Sequence, residues 1–156
     1  MGSSVPAALD YLALHIPKLS AVTALKAAFS DGWPGAGGKA DTMVVLAGTP
    51  DADAQSIGQT YAMLSNNEHE DVSIVSTIWV RRVGLKMAST ARRDAYGILD
   101  AINELIRSDR NLGKAIIPGT PARISQIRTT PTPNAKSAGT GRTCELRWTL
   151  TWQHRT

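Results

Sequence analysis

The sequence predicts an α+β fold: a four-stranded, mainly antiparallel sheet with helices packed on one face. Three observations point there. Strand-like segments come in neighbouring pairs, not alternating with helices one by one. Ala91, Ala95, Ile98, Leu99, Ile102, Leu105 and Ile106 form one continuous helical stripe. Residues Thr143 to Arg155 alternate without a fault, as a half-buried strand must.

At the N-terminus, Val5, Leu9, Leu12 and Ile16 recur at helical spacing, so Ser4 to Ile16 reads as a short amphipathic helix. Pro6 is tolerated in its first turn and Pro17 ends it. Leu19 to Phe29 could add a further turn or two, although Val22 and Thr23 weaken that reading. Residues 30–41, Gly/Pro-rich around Trp33, read as a long loop. Thr42 to Ala47 is a short apolar run between glycines, the first strand. Residues 49–70 dissolve into polar residues anchored only by Tyr61, Met63 and Leu64, and read as a second long loop.

Val72 to Val83 has apolar members on both alternating sets, so it is covered on both faces and central. A helix then starts near Ser89 or Thr90, either a suitable N-cap, and runs through Ser108. Asn111-Leu112-Gly113 supplies the stop. Arg123 to Thr129 is a third strand. Residues 130–142 contain no large apolar side chain and read as a flexible hairpin tip. The closing strand puts Cys144, Leu146, Trp148, Leu150 and Trp152 on one face, with Glu145, Arg147, Thr149, Thr151 and Gln153 on the other. The whole chain, 1–156, reads as a single domain.

Composition narrows the function classes. At 156 residues, with 42% hydrophobic and 19% charged, the chain can bury a core without staples. No stretch is long and apolar enough to span a membrane, and the N-terminus lacks the pattern of a secretory or myristoylation signal. Cys144 is alone, which excludes an internal disulfide and fits a reducing cytoplasm. A net charge of +4 favours polyanions only weakly.

Catalytic chemistry finds little support. His15, His69 and His154 are scattered, and the one mixed cluster, Glu68-His69-Glu70-Asp71, reads as a solvated loop before a strand. The glycines from Gly35 to Gly38 resemble a phosphate cradle, but Trp33 and Ala40 stand where a P-loop needs glycine and Ser or Thr. There is no Gly-x-Ser-x-Gly elbow. No catalytic, metal-ligating or cofactor-binding residue is expected, and no cofactor. Arg81-Arg82 and Arg92-Arg93, with Arg107, Arg110, Arg123 and Arg128, could form a basic nucleic-acid surface. Strand alternation opposes it, because Arg81 and Arg82 cannot share a face, and Trp79, Trp148 and Trp152 lie on apolar faces.

The ordered combination of Val44-Val45-Leu46-Ala47-Gly48-Thr49-Pro50, the strand Asp71 to Val83, the helix Thr90 to Ser108, the turn through Leu112-Gly113 and the closing strand Arg142 to Gln153 resembles the tail terminator (tail completion, minor tail) proteins of siphophages. That resemblance implies a non-enzymatic, ring-forming subunit. Six copies would cap the tail tube, stop its growth and offer a surface to the head-completion or connector protein. DNA would pass through the lumen without specific binding. The resemblance places the protein in the tail-neck region of a virion, and in the host cytoplasm during assembly. A head-completion or neck protein is the alternative within the same class, and a small basic nucleic-acid-binding domain the alternative outside it. The segment Pro133 to Gly141 is expected to order against a partner. The candidate interface residues are Asn134, Lys136, Ser137, Gly139, Arg142 and Arg147.

Overall fold

A computed structural model describes residues 2–35, 40–50, 56–64, 67–84, 87–131 and 141–155. The chain folds as α1 (Val5–His15), a 3-10 turn (Ile16–Lys18), α2 (Ser20–Ala24), β1 (Ala28–Asp31), β2 (Thr42–Leu46), β3 (Ile57–Leu64), β4 (Asn67–Val83), α3 (Ala88–Ser108), β5 (Gly119–Pro131) and β6 (Gly141–Arg155).

The α+β class stands, but the sheet differs from the expected four-stranded, mainly antiparallel one. Among the described residues it has six strands and is mixed, in the order β1-β2-β4-β6-β5, with β3 also on β4. The β1–β2 pair is parallel. Of the two extra strands, β3 falls inside a segment whose composition signals loop, whereas β1 straddles the end of the 19–29 segment, where a further helical turn or two was expected and α2 supplies only Ser20–Ala24, and the start of the next loop. Residues 30–41 were expected to be loop, yet β1 reaches into them; 49–70 were expected to be loop, yet β3 and the start of β4 lie there. The physical reason is that both are edge strands. An edge strand buries little, so it has no need of the strong alternation that marks a covered one.

β4 is long, 17 residues, because it serves three neighbours. From His69 to Val83 one side pairs with β6, while its other side is shared between β3 and β2. The even-numbered residues Val72, Ile74, Ile78 and Val80 face the helices, together with Val44, Leu46, Cys144, Leu146, Trp148 and Leu150. Against them α3 lays Ala91, Ala95, Ile98, Leu99, Ile102 and Ile106, and α1 adds Val5, Ala8 and Leu12. All of this is one core on one side of the sheet.

Among the described residues the opposite face carries no helix, and the turn after β2 covers its β2 end. There the Thr77 hydroxyl donates to the Gly48 carbonyl at 2.8 Å, while on the helix side the Ala47 N–H donates to the Ser76 hydroxyl at 3.0 Å. These bonds satisfy two fully buried hydroxyls and fold the turn after β2 over the sheet. Gly48 is required there: a Cβ would sit 2.5 Å from the Trp33 nitrogen and 2.7 Å from Val45 Cγ1.

Helix ends depart from the sequence reading. α3 starts at Ala88 with Met87 in the cap position, not with a Ser89 or Thr90 cap. Its stop is made by Asp109, whose carboxylate accepts the N–H groups of Asn111 and Gly113 at 3.2 and 2.9 Å. Gly113 follows with φ +67, a conformation glycine adopts freely. One ion pair locks α3 to the sheet: Arg82 Nη2 lies 2.8 Å from Asp94, while Arg82 Nη1 donates to the Thr42 hydroxyl at 2.9 Å. Arg81, one residue earlier, is exposed, as alternation requires. Replacing Asp94 with alanine strands a largely covered guanidinium and is expected to lower stability by about 1–3 kcal/mol, measurable by urea denaturation at neutral pH.

Candidate interaction surface

The helix-free face of the sheet is built by the odd positions of its central strands. Ser73, Val75, Thr77 and Trp79 of β4 stand opposite Thr151, Thr149, Arg147 and Glu145 of β6. β5 continues the face with Gln126 and Arg128, opposite Thr149 and Arg147. Hydroxyl, amide and guanidinium groups dominate it. Two open clefts mark its surface: one of about 450 Å³ near Thr60, Asp71, Arg123 and Thr151, another of about 200 Å³ between Thr49, Gln126, Arg128 and Arg147.

Arg147 lies in the middle of this face. Its Nε donates to Glu145 at 2.8 Å, and Glu145 is nearly buried, so the pair is partly desolvated and fixes the guanidinium. Arg142 does not share that setting. It lies at the start of β6 opposite Arg82, five residues from Arg147 and hence on the other side of the sheet. The two arginines grouped from sequence therefore serve different surfaces. Asn134, Lys136, Ser137 and Gly139, with the rest of 132–140 in the expected hairpin tip, lie outside the described residues. The described flanks of that tip are strand: β5 runs through Pro131 and β6 begins at Gly141.

The Glu68–Asp71 cluster is pulled apart by the same alternation. Glu70 points to the helix side and is fully buried, whereas Asp71 lies on the opposite face, where Gln153 donates to it at 3.0 Å. Among the described residues no group of three or more His, Cys, Asp or Glu side chains could hold a metal ion. Burial pushes the Cys144 thiol up, and the Glu145 charge adds to this against the opposing pull of Arg92. No described helix is long and apolar enough to cross a membrane.

A polar centre that sequence reasoning missed ties the N-terminus to the sheet. Glu70 accepts from the Ser3 hydroxyl at 2.6 Å, the Ser4 N–H at 2.9 Å, the Ser4 hydroxyl at 2.8 Å and the Gln59 amide at 2.7 Å. The Trp152 indole N–H donates to the Ser4 hydroxyl at 2.8 Å, and His154 Nδ1 lies 3.7 Å from the carboxylate. Burial by itself would raise the Glu70 pKa, but the donated hydrogen bonds outweigh it and hold the carboxyl at about 2. α1 has no acid in its first turn, so this strand-borne carboxylate supplies the negative charge its N-terminus favours.

Similarity to solved structures is at the level of the fold. The chain is similar to a chain from the virion of a native gene transfer agent particle, with a TM-score of 0.46 and 12% identity over 86% of this chain and 84% of that chain. No protein-family model and no curated protein matches the sequence.

The two flanks of the sheet are unlike each other. Among the described residues, the outer edges of β1 and β3 on one flank carry no further strand, and neither does the outer edge of β5 on the other from about Ser125 onward, the earlier part being met by the Arg110 carbonyl bonded to the Ala122 N–H. Large apolar side chains are exposed along these borders, including Tyr61 on β3 and Ile127 on β5.

Proposed function

We propose that this chain is a non-enzymatic structural subunit of a phage-type virion, acting as a tail terminator: copies, six by the resemblance, form a ring that caps the tail tube, stops its polymerisation and faces the head-completion or connector protein. The observation that carries the reading is the pair of dissimilar open sheet flanks on one subunit. A head-to-tail contact between unlike patches repeats with a constant rotation and closes into a ring when that rotation divides a full turn. The segments that carry the sequence resemblance support it too, because Val44 to Leu46, β4, α3 and β6 together make the central packed layer. DNA would traverse the ring without specific contact.

The test is electron microscopy of tail-tube protein polymerised with and without the purified chain. Tubes that stop short and end in a ring of added density are the expected result. Tubes of undiminished, uncontrolled length overturn the terminator role. A filter-binding titration against salt separates the nucleic-acid alternative, for which log affinity falls with a slope near −0.9 per neutralised phosphate.

A further inference from the structure

Natural sheets protect a free edge with charge, proline, bulges or shortness. β1 is short, four residues. β5 carries Pro121 and Pro131, Arg123 and Arg128, and two register shifts. β3 has none of these devices. Its eight residues, Ile-Gly-Gln-Thr-Tyr-Ala-Met-Leu, include no charge and no proline, pair with β4 in unbroken register, and leave the other edge without a strand among the described residues. An uncharged, regular edge of this length is a template for strand addition.

We infer that the outer edge of β3 is an assembly edge that pairs with the open stretch of β5 in a second copy of this chain, setting Tyr61 of one copy beside Ile127 of the next. This deepens the assembly reading and rests on it. Three observations select the occupant. The first is face parity. Tyr61 reaches Glu70 on the helix side of the sheet, and Ile127 stands opposite Trp148 on that same side, whereas Thr60 and Gln126 both belong to the helix-free face. Joining the edges with their faces matched therefore brings aromatic to β-branched residue, a favourable cross-strand pair. Each is otherwise too exposed for its size, 51% for Tyr61 and 47% for Ile127.

The second is space. An open cleft of about 140 Å³ lies between α3 and β5, lined by Leu99, Asn103, Ile124 and Ile127, where an incoming ring can lie. The third is charge. Pairing β5 with β5 of a second copy sets arginine-bearing strands against each other, which is unfavourable, whereas β3 brings no charge to the contact. β5 thus discriminates against its own kind and accepts β3.

The experiment uses the full chain with Thr60→Cys, Gln126→Cys, or both, treated with a short bismaleimide. Cys144 is buried and stays silent. The double variant is expected to give a ladder of cross-linked multimers, the two single variants mixed together a dimer, and neither alone any product. Adding Thr60→Arg in place of the cysteine, measured by light scattering, is expected to abolish the multimer by placing like charge against Arg128. A dimer from Thr60→Cys alone shows β3 pairing with itself and overturns the inference. Multimers seen by light scattering without any cross-link overturn the edge assignment while leaving the assembly reading intact. A chain that stays monomeric both alone and with tail-tube protein overturns the two together.

Discussion

Replacing Glu70 with alanine is expected to lower unfolding stability by about 3 kcal/mol at pH 7, an effect on the scale of breaking a buried charged network. The carboxylate is fully buried and accepts five donors from two separate segments, the N-terminus and β3, so its removal leaves the Ser4 N–H and both serine hydroxyls short of a partner. The linkage argument agrees in magnitude. A carboxyl held at about 2 when folded, against an ordinary value of 4.5, contributes up to about 3 kcal/mol. Because the folded pKa is depressed, that contribution is complete above pH 4.5 and is lost as pH falls toward 2. The parent should therefore lose stability steeply across that window, and Glu70→Gln should show a flatter profile there while keeping part of the packing. Urea unfolding at several pH values between 2 and 7 measures both. Parallel curves for parent and Glu70→Gln would show that the carboxylate is not the titrating group.

The same centre marks where the sequence stops being legible. Ser3-Ser4 and Glu70 are 66 and 67 residues apart in their contacts, and nothing in local spacing announces such a pairing. Glu70 read as part of a solvated cluster because Glu68, His69, Glu70 and Asp71 are consecutive; only the knowledge that they lie on a strand separates them into opposite faces. The covered elements were legible for the converse reason. α3 and β6 bury one face against the core, so burial imprints a period on them, while β2 and the central part of β4 are covered on both faces and so read as short apolar runs. β1 and β3 carry no such imprint, since an edge strand is held by backbone hydrogen bonds to one neighbour and any side chain compatible with a pleat will serve. The interface residues suffer the same limit. Arg142 and Arg147 looked alike as charges near a hairpin, yet their odd separation assigns them to different sides of the sheet.

The tryptophans show how far the face argument reaches, and they support the largest stability prediction. Trp79, Trp148 and Trp152 all read as core residues from their apolar strands. Trp148 and Trp152 are in the core, but Trp79 stands on the helix-free face, opposite Glu145 and Met43, and is only half-buried. Trp148 has no accessible surface, and its strand lies between β4 and β5, with the apolar stripe of α3 packed over the same face. Trp148→Ala removes the largest fully buried side chain from a layer that rigid strands cannot close over. The expected loss is about 3–5 kcal/mol, the usual range for truncating a buried aromatic, seen as a lower urea midpoint with an unchanged slope. Trp148→Phe is the informative companion. Among the described residues the indole N–H of Trp148 has no hydrogen-bond partner, so phenylalanine removes an unsatisfied donor while leaving a smaller void than alanine does. Its cost should therefore be well under half that of alanine. Equal losses for the two variants would mean that the indole group, not the filled volume, holds the layer together.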